Sequence, residues 1–198
     1  AYSSIENIGI ILLGLGLGML GITAGNRLMA AFGFAGALLH VLNHALFKSL
    51  LFLGAGAVLH ATSTRRLDQL GGLLRTMPVT GRTFLAGSAA IAGLPPLNGF
   101  VSEFLIYYAA FQGLSLGGGN LRLCLFTIVS LALIGGLAAA CFTQVVGMVF
   151  LGDPRTAHAR QATEVGPSMR AAMVLLTLAC LVIGLWPEPV LRLMFAGL

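Results

Sequence analysis

Long apolar runs constrain this chain more than any other feature of its sequence. Five segments, near residues 8–24, 30–62, 83–112, 123–151 and 171–186, carry almost no charge. A helix crossing a hydrocarbon core ~30 Å thick needs about 18 or more such residues, and the last segment only just reaches that length. Of the 198 residues 58% are apolar and 9% are charged, whereas soluble domains carry about a quarter charged, which argues against a soluble enzyme. No segment alternates with period two, so a membrane β-barrel is disfavoured as well. The expected class is an all-α membrane protein, residues 1–198 forming one transmembrane domain of about five spans.

The third segment decides the count. Thr83 to Leu94 would make only about 18 Å of helix, too short to cross alone. One discontinuous span over 83–112, broken at 95–99, is the better reading. With five spans, the gaps Ser63 to Arg82 and Gly152 to Arg170 fall on one face. They carry Arg65, Arg66, Arg75, Arg82, Arg155, Arg160 and Arg170, against Arg27, Arg122 and Arg192 opposite. The positive-inside rule makes the first face cytoplasmic. The net charge of +5 thus reads as an orientation signal, and no nucleic-acid partner is expected. Within the first gap, Leu67, Leu70, Leu74 and Met77 recur at helical spacing, which suggests a short interfacial helix, with a solvated loop as the alternative.

Several patterns carry no chemistry. Gly16, Gly18 and Gly21 match G-x-G-x-x-G but lie inside a span with no strand before them, so they do not form a nucleotide site. Gly14 and Gly18 fit close helix packing instead. Cys124, Cys141 and Cys180 are isolated in apolar runs and read as small buried hydrophobes. Neither a metal nor a cofactor is expected. The chain opens at Ala1 without a basic leader, so it reads as a fragment lacking a signal peptide.

Two signals do carry chemistry. His40, His44 and Lys48 recur every fourth residue inside the second segment, forming one stripe about 12 Å long. A lysine at mid-membrane costs ~2.5–3.5 kcal/mol on insertion scales, so it is a functional hypothesis by default. Titratable groups every ~6 Å suit a proton relay. The structural alternative is a lysine paired with an acid, with histidines bonded only to backbone. The second signal is Gly93-Leu94-Pro95-Pro96-Leu97-Asn98-Gly99-Phe100-Val101-Ser102-Glu103. Pro95 and Pro96 lack N–H groups and deprive the carbonyls of Ile91 and Ala92 of donors, and Gly99 loosens the chain further. Broken helices beside an intramembrane carboxylate such as Glu103 are ion-handling elements of transporters. A plain proline kink with Glu103 at the interface is the alternative. Asn43 and Asn98 are further polar residues of the two segments. Glu6 and Asn7 open the first span, either lining a proton inlet or forming a polar start.

These stretches, with Ser3-Ser4-Ile5-Glu6-Asn7-Ile8-Gly9, resemble the proton-translocating antiporter-like family. That family includes large membrane subunits of respiratory complex I and of Mrp antiporters, and the pattern is most like its hydrogenase-4 and formate hydrogenlyase branch. The resemblance implies the C-terminal part of a fold of about fourteen helices with two inverted repeats. It implies a central relay at His40, His44 and Lys48, and an exit carboxylate at Glu103. On this reading the chain belongs to a proton-pumping subunit of a membrane-bound hydrogenase or complex I-like NADH:quinone oxidoreductase, with redox chemistry elsewhere. The implied partners are other membrane subunits, a peripheral redox arm, the lipid bilayer, and protons or Na+. The implied location is a bacterial or archaeal inner (cell) membrane. Two alternatives remain: part of an Mrp-type monovalent cation/proton antiporter, and a non-transporting membrane scaffold.

Overall fold

The computed structural model describes residues 2–195, and among these it contains helices and no strands. The long helices are α1 (Tyr2–Thr23), α2 (Arg27–Thr62), α4 (Pro78–Ile91), α5 (Asn98–Gly113), α6 (Gly118–Phe150) and α8 (Pro167–Leu185). Short helices α3 (Leu73–Thr76), α7 (Ala157–Gln161) and α9 (Glu188–Phe195) lie between or after them. By length and composition α1, α2, α6 and α8 can each cross a membrane. The shorter α4 and α5 follow one another as the two halves of a discontinuous span. The chain is a multi-pass membrane protein.

Helix α2 is the axis of the bundle, packed against α1, α4, α5 and α8. It starts where Asn26 Oδ1 accepts the Met29 N–H at 3.0 Å, a side-chain cap on an otherwise orphaned donor. Small residues let its neighbours approach. A Cβ on Gly18 would meet the Phe34 ring at 2.8 Å, and one on Gly33 would meet the Gly18 backbone at 2.6 Å. Gly14 and Gly18 therefore serve helix packing. Along the same axis Gly36 faces Ile106 of α5, and Gly54 faces Phe84 of α4.

The discontinuity differs from the sequence expectation in place and cause. Helix α4 ends at Ile91 and α5 begins at Asn98, so the break covers 92–97 rather than 95–99. Gly93 adopts φ +65°. Its N–H reaches the Ala90 carbonyl at 3.2 Å, and the Leu94 N–H reaches the Ala89 carbonyl at 3.0 Å. This paired closure is a Schellman motif, which needs a residue in the left-handed region and so selects glycine. The glycine ends the helix, while Pro95 and Pro96 keep it from resuming. Asn98 and Gly99 belong to the first turn of α5 and are not part of the break.

The two arginine-bearing gaps lie together on one side. Gly72 N–H bonds the Leu151 carbonyl at 2.9 Å. Arg155 Nη1 donates to the carbonyls of Leu67, Leu70 and Met148 at 3.2, 3.0 and 3.0 Å. The interfacial helix expected through Leu67, Leu70, Leu74 and Met77 is not continuous. It resolves into a 3-10 turn at Leu67–Gln69 and the single turn α3, because Gly71 and Gly72 take φ +138° and +66° between them. Cys124 and Cys180 are buried as expected, but Cys141 is exposed on the outward face of α6.

Candidate functional site

A polar seam runs through the apolar interior where α1, α2 and α5 meet. His40, at mid-length in α2, is fully buried. Its Nδ1 lies 2.9 Å from Ser102 Oγ of α5, and its Nε2 lies 3.0 Å from Asn7 Oδ1 of α1. Three helices thus converge on one imidazole. An amide oxygen can only accept, so the Asn7 contact requires a proton on Nε2, and the single Ser102 hydroxyl proton lies between His40 Nδ1 and the Gly99 carbonyl, 3.0 Å away. Asn7 is held in turn by its Nδ2 on the Ser3 carbonyl at 2.7 Å.

One turn along α2, Asn43 ties the axis to the start of α5. Its Nδ2 donates to the Asn98 carbonyl at 2.7 Å and to Ser102 Oγ at 3.0 Å, and its Oδ1 accepts from Asn98 Nδ2 at 3.1 Å. Asn98 Oδ1 accepts the Gly99 N–H at 3.0 Å. Asn43, Asn98 and Ser102 are all fully buried, so every bond of this cluster replaces water that cannot reach it. Gly99 is required here, because a Cβ would drive into the Ala90 carbonyl.

His44 and Lys48 continue the stripe in different surroundings. His44 is half-buried against Phe47 at 5.6 Å between ring centroids. Its Nε2 is buried with no hydrogen-bond partner among the described residues. Lys48 is half-buried, with Nζ bonded to Ser3 Oγ at 2.5 Å and lying 5.7 Å from the centre of the Phe52 ring. Glu6, one turn along α1 from Ser3, is the acidic side chain whose charge acts on Lys48 through space.

Glu103 is next to Ser102 in sequence but turns away from the seam. It lines a cavity of about 290 Å³ with Gly93, Tyr107, Leu131 and Gly136. A Cβ on Gly93 would meet Glu103 Oε2 at 2.6 Å, so the glycine that ends α4 also makes room for the carboxylate. Pro95 and Pro96 stand exposed outside both groups. The expected residues thus fall into three groups. His40, Asn43 and Asn98 share the seam, His44, Lys48 and Glu6 extend it, and Glu103 occupies a separate cavity behind α5.

Ser102 and Ser3 were missed as partners in the sequence. Ser102 lies one helical turn after Asn98, and Ser3 one turn before Asn7, so helical spacing from the other polar residues would have found both. Glu164, outside the spans, was missed too. Its Oε2 accepts the N–H groups of Val79 and Thr80 at 2.8 and 3.2 Å, and its Oε1 accepts from Thr80 Oγ1 at 2.5 Å. Burial raises the pKa of this carboxyl, but the bonds from Thr80, Val79 and Val165 outweigh burial and hold it below the ordinary value.

Comparison with known proteins agrees with this architecture. Residues 1–129 match the family described as NADH:quinone oxidoreductase/Mrp antiporter, TM. Over 193 residues the chain is 44% identical to hydrogenase-4 component B of Escherichia coli (strain K12), covering 96% of this chain and 29% of that protein. Over 195 residues it is 45% identical to formate hydrogenlyase subunit 3 of the same strain, covering 96% and 32%. The chain therefore spans about a third of the length of these curated relatives. A probable K(+)/H(+) antiporter component of Rhizobium meliloti is 35% identical over 189 residues, with 94% and 17% covered. Among solved structures, a chain of the Mrp complex from Dietzia sp. DQ12-45-1b superposes with a TM-score of 0.69 at 20% identity, covering 98% of this chain and 46% of that one. With the family match covering well over half of its length, the chain belongs to the NADH:quinone oxidoreductase/Mrp antiporter transmembrane family.

Proposed function

We propose that this chain is part of a proton-translocating membrane subunit, working within a membrane-bound hydrogenase or complex I-like oxidoreductase of a bacterial or archaeal cell membrane. The observation that carries the reading is the buried imidazole of His40, gripped at both nitrogens by α1 and α5, on one stripe with the open Nε2 of His44 and with Lys48. A purely structural histidine needs no second ionisable pair along its stripe, and intramembrane ionisable groups are costly to keep without a use. Protons would pass among Lys48, His44 and His40 and leave past Glu103, with Glu6 near the inlet. Hydrogenase-type relatives at 44% and 45% identity favour a redox-coupled partner. Other membrane subunits and a peripheral redox arm would complete the machine.

The match to a K(+)/H(+) antiporter component supports a second reading, cation/proton exchange without redox coupling. Vesicles carrying the full-length protein in its complex distinguish the two. Proton uptake driven by an electron donor, with no response to an imposed Na+ or K+ gradient, is expected. Gradient-driven exchange in the absence of donor would overturn the first reading in favour of the second.

A further inference from the structure

Away from the seam, an apolar groove of about 390 Å³ runs between the C-terminal turns of α2 and α6. Its walls are Phe52, Gly56, Leu59, Val145 and Phe150, and Arg65 and Thr64 stand at its mouth. The groove lies at the arginine-bearing membrane boundary. Both α2 and α6 end beside it, at Thr62 and Phe150. A Cβ on Gly56 would touch only Met169, in the first turn of α8, so the groove is level with the start of that helix.

The rim carries an uncompensated positive charge. Nearby arginines are engaged: Arg66 pairs with Asp68, Arg75 with Asp153, and Arg155 holds three carbonyls. Arg65 has no hydrogen-bond or ion-pair partner among the described residues and is exposed. An occupant of this site needs an apolar body for the groove and an anionic end for Arg65, at the level of the headgroups. The geometry points to an anionic phospholipid, its phosphate on Arg65 and one acyl chain between α2 and α6 reaching Phe52. A transmembrane helix would satisfy the walls but would have to place an acidic residue at the boundary to meet Arg65, which every anionic lipid headgroup does by its nature. The far end of the groove has a consequence for the site. Phe52 also faces Lys48, so an acyl chain lying on Phe52 excludes water from that side of the lysine.

The site is tested by lipid binding alone, independently of any transport. The full-length protein in its complex is purified in detergent, stripped of lipid, and offered phosphatidylglycerol or phosphatidylcholine, with retained lipid counted by native mass spectrometry. The parent is expected to retain phosphatidylglycerol in preference. Arg65→Gln should cut that preference about fivefold, the worth of one basic residue at a charged lipid surface. Gly56→Leu, which adds bulk to the groove lining, should lose both lipids. A photo-crosslinker at Ala55, which lines the groove, should yield lipid adducts in membranes. Adducts to a neighbouring polypeptide, or phosphatidylglycerol retention unchanged in both variants, would overturn the proposal.

Discussion

Two polar networks hold this molecule together, and they sit in opposite surroundings. The inner one joins His40, Asn7, Asn43, Asn98 and Ser102 within the apolar bundle. The outer one is two sets of bonds at the arginine-bearing face, Glu164 on Thr80 and Val79, and Arg155 on the carbonyls of Leu67, Leu70 and Met148. Both bring distant segments together through side chains that bond backbone or one another. The inner network uses neutral amides, a hydroxyl and an imidazole, because a fixed charge there would cost far more than its bonds return. The outer network uses charged groups, because water nearby lowers that cost. The inner network is neutral and shut off from water, whereas the outer contacts are fastenings, one of them a carboxylate, Glu164, held below its ordinary value.

Changing the carboxylate in the separate cavity behind α5 should have the largest effect. Glu103→Gln keeps shape but removes titration, and proton uptake by vesicles with matched expression should fall at least tenfold, the scale of losing a proton-transfer group. Glu103→Asp should retain part of the activity. Uptake equal to the parent in Glu103→Gln would make the cavity behind α5 a packing feature.

Next in size is the fastening of the break. Asn43→Leu leaves the buried Asn98 Nδ2 without its acceptor, and such a group costs about 1–3 kcal/mol. The thermal inactivation midpoint of the full-length protein in detergent should drop clearly. An unchanged midpoint would mean that water or rearrangement satisfies Asn98 and that the inner network is looser than described.

Smaller again is the outer carboxylate. Glu164 is depressed in the folded state, so its stabilisation is fully present above the ordinary glutamate value of 4.5 and is lost as pH falls through the lower folded value. Glu164→Gln should cost about 1–2 kcal/mol at neutral pH and should flatten the stability profile below pH ~4.5. Parallel parent and variant profiles would contradict the assignment. The smallest effect belongs to Arg66→Ala. Its pair with Asp68 is 69% and 59% exposed, so the melting midpoint in the same assay should be unchanged.

The helices were legible because apolar runs of this length leave the backbone no alternative in lipid. Lys48 and Glu103 were legible because a charge inside such a run stands out. The end of α4 was misplaced because two prolines drew attention from Gly93, whose left-handed backbone ends the helix earlier. Helical spacing marks Ser102 and Asn7 as polar positions of α5 and α1, but their meeting at His40 stayed hidden, since pairing across α1, α2 and α5 depends on helix rotation. Glu164 was invisible for the same reason: it lies 84 residues beyond the Thr80 it grips.

The central claim, that the α2 stripe carries protons, is tested most directly at Lys48. Lys48→Met removes the bond to Ser3 and the charge while keeping the side chain's length, and it relieves the insertion cost of a buried ammonium. Donor-driven proton uptake should be measured in inverted vesicles carrying the full-length complex, with assembly matched by subunit quantification. Normal assembly with uptake abolished is the result predicted here. Normal assembly with uptake equal to the parent would contradict it and leave the stripe as part of a non-transporting scaffold.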